Sequence, residues 1–170
     1  PDIRATPFPL YAPEVYPAMA RERDEKLPVL CIDESRGCPM DCHFCAHASF
    51  SGSSWRHRSA EQIVAEMDHG FQQTGIRAFR FSGSFTPGRI YRDVARILLD
   101  RGTPYLYSGF AHVDTMKPEE LESYRESGLE ALFFGIESGS KELLANGLGK
   151  KMDLDRVEDV LTSAMDAGIF

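Results

Sequence analysis

Three of the four cysteines fall within eight residues, at Cys38, Cys42 and Cys45, in the spacing C-x3-C-x2-C. Three thiols this close cannot all pair as disulfides, but a short loop with that spacing lets them converge on one metal site. A closed zinc site or an electron-transfer iron–sulfur cluster usually takes four protein ligands. A cubane cluster held by only three cysteines leaves one iron free, so the loop predicts a metal centre that binds a further molecule.

Zinc is the alternative metal for this loop. His43 and His47 lie beside the cysteines, and zinc accepts mixed sulfur and imidazole ligands. The fourth cysteine, Cys31, lies in the apolar run Val29–Ile32, where a cysteine usually serves as a small buried hydrophobe. We therefore expect Cys31 to be buried and not to bind the metal. A structural or binding module that contains zinc or free thiols remains the second class of function for this chain.

Short apolar runs and amphipathic helices alternate from residue 27 onward. Alternating units of this size require a parallel sheet with right-handed crossovers, and a nearly continuous apolar strand is expected to be covered on both faces. The predicted strands are Val29–Ile32, Ala78–Ser82, Tyr105–Ser108 and Ala131–Ile136, with Ile169-Phe170 as the start of a fifth. The predicted helices start at the capping box Ser59–Gln62, before Ile90, at Pro118 and at an Asp155/Glu158 cap, and they end at Gly75, Gly102, Gly128 and Gly168.

The first 26 residues lack this periodicity. Prolines punctuate them, so residues 1–26 are predicted to be an extended leader or linker and residues 27–170 the folded unit. The fold class is α/β with about four βα units. An unpaired edge of such a sheet is a known route to self-association, which we also expect here.

Ligands of parallel βα architectures collect at the carboxyl ends of the strands. After the second strand comes Ser82-Gly83-Ser84, which could also be a plain turn. Ser108 and His112 follow the third strand, where a lone histidine is more often structural. Glu137-Ser138 follows the fourth, where a carboxylate can accept hydrogen bonds from a ribose diol or an ammonium group, although a serine there can also cap a helix.

The three cysteines, with the aromatic Phe44 just before the last of them, resemble the signature of the radical S-adenosylmethionine (SAM) superfamily. The resemblance implies a partial (β/α)6 barrel, here truncated after about four βα units. It also implies a [4Fe–4S] cluster bound by Cys38, Cys42 and Cys45. SAM would chelate the fourth iron through its amino and carboxylate groups, and one electron would cleave it to methionine and a 5′-deoxyadenosyl radical.

The same resemblance implies a set of SAM-contacting residues, and no catalytic residue beyond the cluster ligands. Many members carry a Gly-Gly-Glu-like segment after the second strand, whereas this chain has Gly83 but no glutamate there. Contacts would then come from the main chain or from serine hydroxyls. The predicted SAM contacts are Phe44, Ser82, Gly83, Ser84, Ser108, Glu137 and Ser138.

Within the superfamily the chain looks most like the cobalamin-associated branch. That likeness rests on Ser35-Arg36-Gly37 before the cysteines, on Tyr11 and Tyr16, and on the segment Gly135–Gly139. It implies cobalamin-linked methylation or rearrangement. No Asp-x-His-x-x-Gly motif occurs in these 170 residues, so cobalamin would bind through another segment. A methylthiotransferase or an oxidoreductase without cobalamin stays open.

The charge and hydropathy of the chain limit the kinds of partner that we expect. A net charge of −7 disfavours broad nucleic-acid binding, and no apolar run is long enough to span a membrane. Free thiols indicate a reducing, cytoplasmic compartment. We expect a small-molecule or peptide substrate and a one-electron donor such as flavodoxin or ferredoxin. The basic segment Trp55–Arg58 and the pair Lys150-Lys151 are expected to be solvated.

Overall fold

The structure is a computed structural model that describes residues 2–12, 28–52 and 54–170. Its main sheet has four parallel strands in the order β1-β4-β5-β6, and a small antiparallel pair, β2 and β3, follows the first strand. Consecutive main strands are therefore neighbours in space, as expected of the α/β class. The strands are β1 Val29–Ile32, β2 Ser35–Arg36, β3 Arg56–His57, β4 Ala78–Phe81, β5 Leu106–Ala111 and β6 Leu129–Phe134.

Five α-helices accompany these strands in the described part of the chain. The four longest follow or precede the main strands as the alternating pattern predicts. They are α1 His47–Ser51, α2 Ala60–Thr74, α3 Gly88–Arg101, α4 Leu121–Glu126 and α5 Val157–Asp166, with 3-10 turns at Ile3–Ala5, Val113–Thr115, Pro118–Glu120 and Leu154–Arg156 and a π-helical turn at Leu143–Gly147. No helix of residues 2–12, 28–52 or 54–170 is both long and apolar enough to cross a membrane.

Helix α2 shows why the sequence signals worked. The Ser59 hydroxyl accepts a hydrogen bond from the Gln62 amide at 3.3 Å, and the Gln62 side chain accepts one from the Ser59 amide at 3.1 Å. Gly75 ends the helix in the left-handed region, with φ +72°. Local chemistry fixes both ends, so the predicted boundaries are confirmed.

Several predicted boundaries are wrong. Strand β6 spans Leu129–Phe134 instead of the predicted 131–136, and helix α4 begins at Leu121, after a 3-10 turn at Pro118–Glu120. Strand β5 extends to Ala111, because it keeps pairing with β6 beyond Ser108. The predicted cap Asp155 lies inside a 3-10 turn whose cap is Asp153, which accepts a hydrogen bond from the Asp155 amide at 3.1 Å. The Asp155 carboxylate instead pairs with Lys141 at 2.7 Å.

The last residue of the chain pairs with strand β6. The Phe170 amide donates to the Glu130 carbonyl at 3.0 Å, and the Phe170 carbonyl accepts from the Leu132 amide at 2.8 Å. These are the bonds that a parallel neighbour of β6 would make. A fifth strand at 169–170 stays a prediction, since the main sheet of the described residues has four strands.

The two faces of the sheet differ. Helices α2 to α5 cover one face, where Ile32, Phe81 and Tyr107 are buried. On the other face, which we call the open face, no described element covers the side chains, so the expectation of two covered faces is wrong for this part of the chain. The expectation for Cys31 is wrong as well. Since neighbouring strand residues alternate between faces, Cys31 points away from the helices and is exposed.

Residues 2–12 lie along helix α2. Ile3 is buried, the Pro9 carbonyl is 3.1 Å from His69 Nε2, and the Tyr11 amide donates to Gln73 Oε1 at 2.9 Å. Tyr16 and the charged run at 21–26 lie outside the described residues. The proposed boundary between leader and folded unit at residue 26 stays a prediction.

Candidate functional site

The cysteine loop leaves the carboxyl end of the β1 segment and is fixed at several points. Gly37 has φ +81°, and an added Cβ there would overlap the backbone of residue 54. The Cys38 amide donates to the Gly52 carbonyl at 3.3 Å, and the His43 amide donates to the Leu148 carbonyl at 2.9 Å. The loop is thereby held between the β3 hairpin and the segment that follows β6.

The three thiols are free and half-buried. Burial raises the pKa of Cys38 and the pKa of Cys42. The charge of the Lys150 ammonium opposes the rise at Cys42. The charge of Cys45 raises both values further, which means that the three sulfur atoms interact electrostatically. A bound cation would offset these penalties, since it stabilises the thiolate forms.

The donors of the loop are three free thiols, a ligand type that both a zinc ion and an iron–sulfur cluster accept. Among residues 2–12, 28–52 and 54–170, no group of three His, Cys, Asp or Glu side chains is placed to hold a metal ion. A closed zinc site usually takes four protein ligands, whereas a cubane held by three cysteines leaves one iron free. The chemistry of the three thiols therefore fits such a cluster.

A buried carboxylate lies under the turn that follows β4. Glu34 has no exposed surface, and its carboxylate accepts hydrogen bonds from the Gly83 amide, at 2.9 and 3.1 Å to the two oxygens, and from the Thr86 hydroxyl. The Ser35 hydroxyl donates to the Phe85 carbonyl at 3.0 Å. The segment 82–86 is thus fastened to the stretch between β1 and the cysteines.

Burial raises the pKa of Glu34 to about 7, and the hydrogen bonds from Thr86 and Gly83 oppose that rise. Glu34 was not among the predicted site residues. No glutamate follows Gly83 in the sequence, whereas the fold brings a carboxylate to Gly83 from the β1 side. A carboxylate directly after an apolar strand was the available signal.

Ser82 and Ser84 lie on opposite sides of Gly83 and have different partners. The Ser82 hydroxyl donates to the Ile32 carbonyl at 2.9 Å, so it is engaged with β1. The Ser84 hydroxyl is 3.1 Å from His47 Nδ1 in helix α1, which follows the cysteines. The structure therefore brings Ser84 to the cysteine loop, whereas Ser82 serves the strand end.

The segment after β6 is shaped by an unusual backbone. Glu137 has φ +64°, a conformation that costs a residue with a side chain on the order of 1 kcal/mol. The Ser138 hydroxyl accepts from the Ser140 amide at 3.0 Å, and the Ser140 hydroxyl accepts from the Leu143 amide at 3.2 Å. Ser140 thus caps the following π-helical turn and Ser138 stabilises the bend before it.

Lys150 is not solvated as the sequence suggested. Its side chain is only 10% exposed, and its ammonium donates to the Gly135 carbonyl and to Glu137 Oε1, the latter at 3.3 Å. The charge of this ammonium also opposes the burial that raises the pKa of Cys42. A cavity of about 490 Å³ lies beside it, lined by Asp41, His43 and Lys150 among others and by none of the three cysteines.

Two other predicted SAM contacts, Ser108 and Phe44, have different surroundings. Ser108 is in the middle of β5 on the open face, where its neighbours across the sheet are Arg80 and Ala131. Phe44 is 52% exposed. His112 is close to buried, and that burial lowers its pKa.

The basic segment at 55–58 is structural in part. Arg58 is 2% exposed and forms an ion pair with the buried Glu66 at 3.1 Å, contrary to the expectation of a solvated loop. Trp55 Nε1 donates to the Phe85 carbonyl at 2.8 Å, so this segment also supports the turn after β4. Buried pairs of this kind need both partners, since either charge alone is costly to bury.

Known proteins are similar to this chain in sequence. An uncharacterized methyltransferase of Pyrococcus horikoshii is 26% identical over 162 residues, which are 92% of this chain and 35% of that protein. The cytidylyl-2-hydroxyethylphosphonate methyltransferase of Streptomyces wedmorensis is 28% identical over 137 residues, or 79% of this chain and 26% of that protein.

A solved structure shares the fold. It is the radical S-adenosylmethionine methyltransferase TsrM from Kitasatospora setae with cobalamin and a [4Fe–4S] cluster bound, which superposes with a TM-score of 0.71 at 16% identity. The match covers 84% of this chain and 29% of that one. The chain thus spans about a third or less of each of these three proteins.

A family model covers most of the chain. It is the model of the Radical SAM superfamily, and it matches residues 34–170, from the buried Glu34 to the last residue. The matched stretch contains the cysteine loop, the turn after β4 and the segment after β6. The chain belongs to the Radical SAM superfamily.

Proposed function

We propose that this chain is the N-terminal portion of a radical SAM core, with residues 27–170 forming the partial barrel. Cys38, Cys42 and Cys45 would hold a [4Fe–4S] cluster. The bound cluster and SAM supply the chemistry, which is one-electron cleavage of SAM to methionine and a 5′-deoxyadenosyl radical. The observation that carries the proposal is the placement of three free, half-buried thiols at the strand edge beside the Ser84 turn and the Lys150–Glu137 pair.

The chain's own residues would bind and orient SAM. The turn that holds Gly83 and Ser84 lies next to the cysteine loop, where the Ser84 hydroxyl and main-chain atoms of the turn would contact SAM. Glu137 and Ser138 offer oxygen atoms to a ribose diol or an ammonium group. Lys150 offers a cation to a carboxylate, and Phe44 an exposed ring to an adenine. Ser108 reaches the open face, where a bound substrate would meet the radical.

We further propose methyl transfer linked to cobalamin as the reaction class. Support comes from the relatives, which are named methyltransferases, and from the similar solved structure, which holds cobalamin. Cobalamin would bind through a segment outside these 170 residues. A zinc module is not proposed, because the family assignment favours the cluster.

The partners follow from this chemistry. A one-electron donor of the flavodoxin or ferredoxin class would reduce the cluster, and a cytoplasmic location would keep the thiols reduced. The substrate would be a small molecule or a peptide. Self-association through an unpaired edge of the sheet is the further expectation, and light scattering tests it.

Anaerobic reconstitution with iron and sulfide tests the proposal. The wild-type chain should turn brown with broad visible absorbance, and added SAM should change the EPR signal of the reduced cluster, since one iron gains a new ligand. The triple variant Cys38→Ala/Cys42→Ala/Cys45→Ala should remain colourless. Cys31→Ala is the matched control, because it removes the remaining cysteine and should leave the cluster intact.

Two results would contradict the proposal. One is tight binding of colourless zinc by the three cysteines with no cluster formed under anaerobic conditions. The other is equal loss of the brown chromophore in Cys31→Ala and in the triple variant, which would mean that the three cysteines of the loop have no special role.

A further inference from the structure

The open face carries a single charged side chain for which the described residues provide no polar partner. Of the residues in the four main strands, only Arg80 and Glu130 are charged, and Glu130 pairs with Arg125. Arg80 lies in the middle of β4, with Cys31 and Ser108 as its neighbours on the adjacent strands. The described residues give its guanidinium no hydrogen bond and no ion pair.

Two phenylalanines hold this guanidinium. Its central carbon is 4.4 Å from the ring centroid of Phe133 and 5.2 Å from that of Phe110. The two rings are 5.6 Å apart with 49° between their planes, and they are 40% and 47% exposed. Stacking of this kind fixes the guanidinium plane but occupies none of its five N–H donors.

The combination has a definite chemical preference. A guanidinium presents two parallel donors that match the two oxygens of a carboxylate, and an exposed pair of rings favours a flat apolar body. The chain has a net charge of −7, so general electrostatics would repel an anion and only a local cation could attract it. The open face is also the side of the sheet that faces away from the helices, where a barrel encloses its ligand.

We propose that Arg80, Phe110 and Phe133 form a substrate-anchoring site for a flat, apolar or aromatic molecule that bears a carboxylate. The rings hold the apolar body and the guanidinium binds the carboxylate. Ser108, next to Arg80 across the sheet, adds a hydroxyl for a further hydrogen bond. The assignment of this ligand as the substrate rests on the proposed radical SAM function, but the binding itself does not require the cluster.

The test compares two ligands of the same shape. 2-Naphthoate and its neutral amide, 2-naphthamide, are titrated into the cluster-free chain by calorimetry. We expect the naphthoate to bind at least about tenfold more tightly, since a hydrogen bond to a charged partner is stronger than a neutral one. Arg80→Gln should abolish this preference and leave naphthamide binding unchanged. Phe133→Leu should weaken both ligands.

Arg77→Gln provides the matched control. Arg77 also stacks on a phenylalanine, with its guanidinium carbon 4.4 Å from the Phe71 ring, but it precedes β4 and Phe71 belongs to helix α2. This variant should keep the full preference for naphthoate. If Arg80→Gln fails to fold by circular dichroism, Arg80→Lys keeps the charge without the planar fork and should lose most of the preference.

Three results would overturn the site. They are equal affinities for the two ligands, an Arg80→Gln or Arg80→Lys variant with the full wild-type preference, and a naphthoate affinity that falls as the chain concentration rises, which would show a second copy covering the open face. Cluster formation measured on the same samples separates the two proposals. A chain that binds naphthoate but forms no cluster contradicts only the radical SAM function, and the reverse contradicts only this site.

Discussion

The two strand ends that flank the cysteine loop are built differently. After β4, the turn is held from below by buried groups, and Glu34, Ser35 and Thr86 are all nearly inaccessible. After β6, the functional groups are more accessible, and the strained Glu137 is held through Lys150. One side is fixed by the protein's own hydrogen bonds, whereas the other keeps polar atoms available to a ligand.

This difference indicates that the two strand ends have different roles. A turn fastened by hydrogen bonds to buried groups gives a rigid surface against which a cofactor can be placed. A side with exposed carboxylate and hydroxyl groups can exchange its solvent contacts for ligand contacts. We therefore expect substitutions after β4 to change stability first, and substitutions after β6 to change binding first.

Gly83→Ala should have the largest effect. An added Cβ would overlap the Ser35 hydroxyl and the Glu34 carboxylate, both of which are buried. Overpacking and the loss of buried hydrogen bonds together should lower the free energy of unfolding by about 3–5 kcal/mol. Urea denaturation measures this. Gly139→Ala is the control after β6, because nothing lies within 4 Å of its added Cβ, and it should change stability by less than about 0.5 kcal/mol.

Equal stability losses in the two glycine variants would contradict the comparison. The turn after β4 would then be no more tightly constrained than the one after β6, and the buried contacts of Glu34 would carry little free energy.

The pH dependence of stability should reveal the burial of Glu34. The pKa of this carboxyl is raised from 4.5 to about 7 in the folded chain, so the folded state binds the proton more tightly than the unfolded state. Stability should therefore fall as pH rises from about 4.5 to 7 and then level off. At about 1.4 kcal/mol per pH unit, the contribution amounts to about 3 kcal/mol. Denaturation at a series of pH values measures it.

Glu34→Gln isolates this contribution, because an amide keeps the shape but does not titrate. The variant should lack the loss of stability between pH 4.5 and 7. If the wild type and the variant have the same slope in that interval, Glu34 does not titrate there and the carboxylate is held in one protonation state.

Glu137→Gly should have a small effect on stability and a clear effect on binding. Glycine relieves the strain at φ +64° but adds chain entropy to the unfolded state, so the unfolding free energy should change by less than about 1 kcal/mol. SAM affinity of the reconstituted chain should fall about tenfold, since a hydrogen-bonding carboxylate is lost. Unchanged affinity, measured by equilibrium dialysis, would remove Glu137 from the proposed site.

Local signals were sufficient for much of this protein. The capping box and Gly75 predicted both ends of α2, because the groups that cap a helix lie within a few residues of it. The spacing of Cys38, Cys42 and Cys45 predicted a metal loop for the same reason. The order of strands and helices was visible as well, but Cys31 was wrongly expected to be buried. The apolar run around it does not say which face the helices cover.

The sequence by itself determined the cysteine loop, the α/β order and the superfamily, since these depend on residues close together in the chain. Only the tertiary structure decided which carboxylate supports the turn after β4. Glu34 and Gly83 are 49 residues apart, and their hydrogen bond exists because β1 and β4 are parallel neighbours. The pairing of β4 with β5, and of β5 with β6, likewise places Arg80 against Phe110 and Phe133. No spacing in the sequence could reveal this contact.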